Sequence, residues 1–207
     1  PETLINFMAF LGWNPGGDKE IYSMEELIKD FSLDKVQKGG AIFNIQRLDY
    51  LNGVYIRQKS LDELADLCRS YLPKTDKEQL KKAIAPYQER LKKLSEITEL
   101  TEFFFQDTLE YDKGLLIWKD MTDGEVKEIL GELDKILCDV EDKEWNKANL
   151  EKILMPEAEK GKDRGRLLWP LRVALTGKRA SAGPFEVAEV LGKEKTLDRI
   201  RQARAMF

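Results

Sequence analysis

Four helix-start signals, spread over the chain, place the strongest constraint on its fold. Each is a capping box, in which a Ser or Thr and a Glu three residues later satisfy each other's free backbone N–H groups. The four pairs are Ser23 with Glu26, Ser60 with Glu63, Thr75 with Glu78, and Thr122 with Glu125. Apolar residues at helical spacing follow these signals, as in residues 61–67, and alternating strand patterns are nearly absent. We therefore predict an all-α protein, a helical bundle or cage of two to three packed helical subdomains.

Turn-forming segments divide the helical patterns into groups. Breaks are expected at residues 14–17, 38–40, 73–75, 112–114 and 155–163. We predict three units, which are residues 1–59, 60–112 and 113–207. No segment repeats with a fixed period, and this argues against a solenoid.

Charge is distributed unevenly along the 207 residues. The whole chain has a net charge of -4. Residues 157–207 contain 12 Lys or Arg against 7 Asp or Glu, a net of +5, which leaves a net of -9 for residues 1–156. A basic segment on an acidic protein favours one local site for a polyanion. On charge alone, a solvated helical surface is the more usual explanation, and that alternative stays open.

The sequence excludes several classes of site. It contains no histidine and only two cysteines, Cys68 and Cys138. Zinc-ligand spacing, a disulfide framework and imidazole chemistry are therefore ruled out, and we predict no metal site and a reducing compartment. No apolar run approaches the ~20 residues that a membrane span requires, and no signal peptide precedes the first helical pattern. We expect a cytoplasmic protein without a membrane partner.

Residues 169–200 place an arginine, a Gly/Ser/Pro-rich turn and a basic helix next to one another. The helix that contains Arg172 is predicted to end at Gly177, because Gly is the usual residue at the left-handed position after a helix C-terminus. Residues 178–183 then form a loop. Pro184 begins the next helix, since the first helical turn has N–H groups to spare. This layout can hold an unstacked polynucleotide base.

The same segment closely resembles the C-terminal end of bacterial-type glutamyl-tRNA synthetases, in which a similar Leu-Arg-x-Ala-Leu-Thr-Gly loop and Gly-Lys-Glu helix occur. Nearer the N-terminus, the similarity includes Leu11-Gly12-Trp13, the region of Phe43, Leu51-Asn52-Gly53 and Tyr55-Ile56-Arg57. The resemblance covers nearly the whole chain and is weakest over residues 113–162. It implies that residues 1–59 form the family's stem-contact region and that the remainder forms its all-helical anticodon-binding region. From its position after a helix, Trp13 is expected to pack into a core.

The resemblance also implies residues that contact anticodon bases. Arg90 matches an arginine that lies close to the third anticodon base, and Arg172 matches an arginine that reaches an anticodon base. The base-contacting loop of the family corresponds to Ser181, Ala182, Gly183 and Pro184. Relatives often have Pro-Gly-Leu at the end of this loop, so an apolar side-chain contact is expected to differ here. From the residues alone, a solvated charge on a helix is the more usual interpretation of Arg90, and that interpretation stays open.

Other cations are expected to attract the RNA backbone without reading sequence. Beside the expected site these are Arg57, Lys178 and Arg179; on the C-terminal helices they are Lys193, Lys195, Arg199, Arg201 and Arg204. Arginine suits base recognition better than lysine, because its fixed fork of donors matches two acceptors at once. Sequence-specific RNA recognition usually targets splayed bases of a single-stranded loop, and an anticodon is such a loop.

The resemblance implies a parent glutamate–tRNA ligase, which attaches glutamate to tRNA(Glu) with ATP and Mg. The His-x-Gly-His and Lys-Met-Ser-Lys motifs of its catalytic domain are absent here. We therefore expect this chain to be the tRNA-recognition half, with no catalytic residue and no cofactor of its own, and to act as a monomer on tRNA rather than DNA. The chain begins at Pro1, which fits either removal of a methionine or a segment of a longer protein. A free-standing RNA-binding adaptor and a helical protein-interaction module remain as alternatives.

Overall fold

The computed structural model describes residues 1–40, 42–161 and 163–207. Within these ranges the chain is helical, and the one pairing of β type is an isolated bridge between Trp13 and Val36. The first six helices are α1 (Glu2–Gly12), α2 (Met24–Asp30), α3 (Ile45–Gln58), α4 (Leu61–Cys68), α5 (Lys77–Ile84) and α6 (Glu96–Thr101). They are followed by α7 (Asp123–Cys138), α8 (Lys147–Lys160), α9 (Gly165–Thr176), α10 (Pro184–Leu191) and α11 (Lys193–Ala205). The predicted all-α fold is confirmed.

Three of the four predicted capping boxes form and begin α2, α4 and α7. The fourth prediction is wrong. Asp76, rather than Thr75, precedes α5, and its carboxylate accepts the N–H of Gln79 at 2.9 Å. Glu78 instead pairs with Lys81 at 3.0 Å. An acidic residue directly after the threonine offers a charged acceptor for the free N–H groups of the helix start, and it moves the start by one residue.

Two other stretches differ from the expected helical pattern. Residues 88–95, which include Arg90, form turns and bends rather than a helix. They follow a 3-10 turn at Ala85–Tyr87, and α6 begins only at Glu96, whose carboxylate accepts the N–H groups of Lys92 and Lys93. The break expected at residues 155–163 comes later, because α8 continues through Pro156 to Lys160. One residue of that expected break, Lys162, lies outside the described residues.

Buried apolar side chains form one large and one small core. The large core extends from Ile56 to Ala203 and includes side chains from residues 60–112 and from residues 113–207. The small core consists of Trp13, Tyr22 and Leu27. Trp13 is 2% exposed, so the expectation that it packs inward is confirmed. The three-unit division of the chain stays a prediction, with the first unit holding the small core.

An arginine lies inside the large core. Arg199 of α11 is 1% exposed, and its guanidinium donates to the backbone carbonyls of Leu175, Phe103 and Gln106. Burial lowers the pKa of Arg199 to about 10. The expectation that Arg199 attracts an RNA backbone is therefore wrong, because the side chain is buried and both terminal nitrogens of its guanidinium donate within the protein. The side chain instead joins the end of α9 to the aromatic 3-10 turn at Glu102–Phe105.

None of the helices in the described ranges is both long enough and apolar enough to cross a membrane.

Candidate nucleic-acid interface

The candidate interface is centred on the loop between α9 and α10. As predicted, α9 ends at Gly177, whose φ of 65° lies in the left-handed region and whose N–H bonds to the carbonyl of Val173 at 2.7 Å. A side chain at Gly177 would be strained, and its Cβ would lie 3.1 Å from the ring of Tyr111. The glycine therefore fixes the direction in which the chain leaves α9, and Pro184 begins α10 seven residues later.

Both ends of the loop are held by side chains of the protein. At the start, the ammonium of Lys178 binds the backbone carbonyl of Glu99 and, at 2.8 Å, the carboxylate of Glu102. At the end, the N–H of Gly183 donates to a carboxylate oxygen of Glu186 at 3.0 Å. The other oxygen of Glu186 lies 2.5 Å from the ammonium of Lys147, and the hydrogen bonds together hold the pKa of Glu186 below its usual value although burial opposes them.

The middle of the loop is attached to the turn that contains Arg90. Nη1 of the Arg90 guanidinium donates to the backbone carbonyl of Ser181 at 3.0 Å. The N–H of the next residue, Ala182, donates to the hydroxyl of Tyr87 at 3.1 Å. Arg90 is itself exposed, whereas Ala182 and Tyr87 are buried. The structure thus brings together two segments that resemblance had assigned separately to anticodon contacts.

Arg172 belongs to the same cluster. It is half-buried in α9, and its Nε is a buried donor without a hydrogen-bond partner among the described residues. The charges of Arg90 and Arg172 both act on the Tyr87 hydroxyl, and burial, the largest effect, raises the pKa of Tyr87. The hydroxyl is therefore neutral.

The turn that contains Arg90 rests on α3. The side-chain amide of Gln88 donates to the carbonyl of Lys59 at 2.8 Å, and that of Asn52 donates to the carbonyl of Lys92 at 2.6 Å. Nη1 of Arg57 lies 3.5 Å from the carbonyl of Glu89. Backbone and helix come very close here, since a Cβ on Gly53 of α3 would lie 3.1 Å from the carbonyl oxygen of Leu91. The position of Arg90 is therefore fixed from two sides.

The remaining cationic side chains differ in how far contacts within the protein engage them. Arg179 is exposed at the tip of the loop. Arg57 and Lys178, expected to contact RNA, make the protein contacts described above. On α11, Lys193 donates to the carbonyl of Val140 and Lys195 donates to the carbonyl of Phe104. Arg201 pairs with Asp134. The guanidinium of Arg204 lies against Gly131 of α7. The basic C-terminal segment is thus used largely to attach α11 to the rest of the protein.

Sequence reasoning missed Tyr87 and Glu186. The usual capping-box pattern begins with Ser or Thr, and here Gly183 takes that position, so Glu186 gave no such signal although it lies three residues later. Tyr87 gave no local signal, because its partner in the loop is 95 residues away in the sequence.

Comparison with known proteins identifies the family. The sequence profile described as the anticodon binding domain matches residues 63–204. The chain belongs to the anticodon-binding-domain family. The matched range contains Arg90, Arg172 and the loop Ser181–Pro184, whereas Arg57 precedes it. This family favours the RNA-recognition interpretation over a helical protein-interaction module.

Two relatives of this anticodon-binding domain are named as glutamate–tRNA ligases. The chain is 37% identical over 205 residues to the glutamate–tRNA ligase of Clostridium botulinum (strain Hall), an alignment that covers 97% of this chain and 42% of that protein. It is 34% identical over 215 residues to the glutamate–tRNA ligase of Moorella thermoacetica, with 98% and 43% covered. The chain therefore spans about two fifths of the length of these relatives.

A solved structure shares the fold. The crystal structure of a glutamate tRNA ligase from Elizabethkingia meningosepticum, in complex with its amino acid, superposes with a TM-score of 0.86 at 29% identity. The match covers 99% of this chain and 41% of that chain. The glutamate–tRNA ligase from Elizabethkingia anophelis gives a TM-score of 0.81 at 27% identity. The helical arrangement around the candidate interface is thus the arrangement found in the corresponding part of these ligases.

Proposed function

We propose that this chain recognises the anticodon of tRNA(Glu) on behalf of a glutamate–tRNA ligase. The ligase attaches glutamate to that tRNA with ATP and Mg, and its catalysis lies outside these 207 residues. The names of the relatives and the anticodon-binding-domain match support this assignment. We expect the isolated chain to show no ATP–pyrophosphate exchange with glutamate. Action as a monomer in the cytoplasm stays a prediction from the sequence.

The observation that carries the proposal is the contact between Arg90 and the carbonyl of Ser181. It places an exposed guanidinium next to the partly exposed Ser181 of the loop, and the charge of Arg172 acts on the Tyr87 hydroxyl that holds the next loop residue. Bases that have left the stack of an anticodon loop present Watson–Crick edges, which arginine forks and backbone groups can bind. The cluster thus supplies the donors and acceptors that base recognition requires.

Each predicted residue takes a role in this proposal. Arg172 donates to one anticodon base, Arg90 selects the third, and the loop Ser181, Ala182, Gly183 and Pro184 contacts bases beside them through its partly exposed residues, Ser181 and Gly183. Arg179 binds phosphate, because it is exposed at the tip of the loop. Lys178 retains one ammonium donor for phosphate beyond the two that it gives to the protein. Arg57 contributes its charge near the phosphates while it holds Glu89.

Salt-dependent binding to tRNA tests the proposal. The Kd of the chain is measured for a tRNA(Glu) transcript with the anticodon CUC, for the same transcript with an unrelated anticodon, and for a DNA hairpin of equal length. We expect the first to bind most tightly and all binding to weaken with salt, since cations that neutralise phosphates release counterions. A chain that binds the transcripts equally, or that ignores RNA, contradicts the proposal; the second result favours a protein-interaction module.

A further inference from the structure

Tyr87 forms hydrogen bonds with both parts of the candidate interface, which are the turn that contains Arg90 and the loop after α9. It lies at the end of the 3-10 turn Ala85–Tyr87 and is 0% exposed. Its backbone carbonyl accepts the N–H of Arg90 at 2.8 Å. Its hydroxyl oxygen accepts the N–H of Ala182 at 3.1 Å. One buried residue therefore fixes the backbone of the turn that contains Arg90 and the backbone of the loop after α9.

The hydroxyl of Tyr87 is directed to the loop rather than to the core. The ring packs within the large core, and a phenylalanine ring would fill the same space. The hydroxyl adds a partner for the N–H of Ala182, whose residue is also 0% exposed. A buried N–H that loses its partner destabilises the conformation that buries it, so without the hydroxyl the loop would favour other positions. The hydroxyl therefore helps to fix the position of the loop, and the packing of the ring does not require it.

The neighbouring charges agree with this role. Arg90 and Arg172 lie close enough to act on the hydroxyl, yet burial keeps it neutral by raising the pKa of Tyr87. A neutral hydroxyl keeps its hydrogen as well as its lone pairs. It can therefore accept from Ala182 between two guanidinium groups without becoming a charged partner for either of them, and both arginines stay available for an external ligand.

We propose that Tyr87 is a positioning residue for anticodon recognition, which sets the distance between Arg90 and the loop Ser181–Pro184 without touching the RNA. This inference rests on the proposed function and adds a specificity-determining residue to it. Glu186 and Lys178 hold the two ends of the loop, whereas Tyr87 is the described residue that joins its middle to the backbone of Arg90. Discrimination between anticodons should therefore depend on the Tyr87 hydroxyl, while general attraction to tRNA should not.

The test compares Tyr87→Phe with a matched variant, Thr101→Val. Thr101 is also buried, and its hydroxyl donates to the carbonyl of Ile97 at 2.6 Å within α6 rather than to the loop. Each substitution removes one buried, hydrogen-bonded hydroxyl and leaves the rest of the side chain similar in shape. For both variants and the unaltered chain, Kd is measured for the CUC transcript and for the same transcript with the anticodon CUG. The readout is the Kd for the CUG transcript divided by the Kd for the CUC transcript.

We expect Tyr87→Phe to reduce that ratio by about tenfold, the factor that corresponds to one ordinary hydrogen bond. Thr101→Val should leave the ratio unchanged, although both variants lower the unfolding temperature. The salt dependence of binding should be the same for all three proteins, because no phosphate contact is altered. A Tyr87→Phe protein that keeps the full ratio overturns the inference, and so does an equal loss of ratio in Thr101→Val.

Amide hydrogen exchange on the unaltered chain provides a second measurement that does not depend on the folding of a variant. The inference requires the amide of Ala182 to exchange much more slowly than that of Arg179 in the same loop. Equal exchange at both positions overturns it. The two proposals also fail separately. If the unaltered chain does not distinguish CUC from an unrelated anticodon, the proposed function is contradicted; if it does and Tyr87→Phe leaves the comparison of CUC with CUG unchanged, only the role of Tyr87 is contradicted.

Discussion

The guanidinium of Arg199 donates a hydrogen bond to the backbone carbonyl of Gln106 across 2.7 Å, in a part of the core where the arginine is 1% exposed. No carboxylate shares this site; the acceptors among the described residues are three carbonyls, from Gln106, Phe103 and Leu175. A fixed fork of donors suits this arrangement, because it reaches several carbonyls from one planar group. The end of α9, where the loop begins, is therefore stabilised by an arginine from the last helix.

Replacement of Arg199 by Met should strongly destabilise the protein. The carbonyls of Leu175, Phe103 and Gln106 would lose a buried donor, and we expect the free energy of unfolding to fall by about 3 kcal/mol. Arg201→Met is the control, since Arg201 is exposed and its pair with Asp134 should contribute less than about 1 kcal/mol. Urea unfolding followed by circular dichroism measures both. Equal losses in the free energy of unfolding would show that the buried guanidinium of Arg199 stabilises the protein no more than the exposed one of Arg201.

Arg172→Ala should weaken binding of tRNA(Glu) by about 1 to 3 kcal/mol, the range for one good base contact, and relax discrimination at one anticodon position. The physical reason is that the half-buried guanidinium of Arg172 lies close enough to act on the Tyr87 hydroxyl at the loop, where its fork of donors can bind a base edge. Arg179→Ala is the comparison, and it should weaken binding to every tRNA alike and reduce the salt dependence. Filter-binding with transcripts altered at each anticodon position measures the difference. If Arg172→Ala weakens all transcripts equally, Arg172 contacts phosphate.

Arg90→Gln should change which tRNA the complete ligase charges. Glutamine keeps size and polarity but lacks the charge and the fork, so a buried acceptor on the third base would be left without its donor. We expect the CUG-anticodon glutamine tRNA to be charged better relative to glutamate tRNA. The measurement is the ratio of kcat/KM for the two tRNAs in the full-length enzyme. An unchanged ratio would make Arg90 a structural link to Ser181 and no more.

Acid should weaken the start of α9 through Asp163. This carboxylate accepts hydrogen bonds from the ammonium of Lys119 at 2.5 Å, from the indole N–H of Trp118 at 3.0 Å and from the backbone N–H of Gly165 at 2.8 Å. The Lys119 bond, foremost, lowers the pKa of Asp163 well below its ordinary 3.8. A carboxylate with a lowered pKa in the folded protein stabilises the fold fully above the pKa of the unfolded chain, and this stabilisation is lost as pH falls towards the folded pKa.

The free energy of unfolding should therefore fall more steeply below the ordinary pKa of 3.8 in the unaltered protein than in Asp163→Asn. Asp120→Asn serves as the control, because Asp120 is exposed and pairs with Arg166 only at the surface. Urea titrations at a series of acidic pH values provide the measurement. Parallel curves for the unaltered protein and Asp163→Asn would remove Asp163 from the causes of acid unfolding.

Local signals in the sequence were sufficient where neighbours decide the structure. Ser60 and Glu63 are three residues apart, so their reciprocal bonds depend on the backbone between them, and the pattern identifies them. Gly177 likewise ends α9 because of its own freedom at positive φ. Thr75 shows how narrow this rule is, because a single acidic neighbour, Asp76, takes over the helix start.

Long-range packing decided what the sequence could not predict. Arg199 reads as a surface cation on a basic helix, and only the arrangement of Leu175, Phe103 and Gln106 around it explains its burial. Arg90 was expected on a helix, but a turn held by α3 carries it. Resemblance identified Arg90 and the loop as separate candidates, whereas their direct contact is a property of the folded chain.

The loop from Lys178 to Pro184 is tied to the protein at its start, middle and end before any ligand arrives. Conformational entropy of a loop that is ordered during folding does not have to be lost again on association, and ordering costs about 1 to 2 kcal/mol for each residue backbone. The entropy lost on binding to such a surface should therefore be lost mainly by the nucleic acid, whose bases must unstack. The affinity for different nucleic acids will then reflect how readily each one adopts the bound shape.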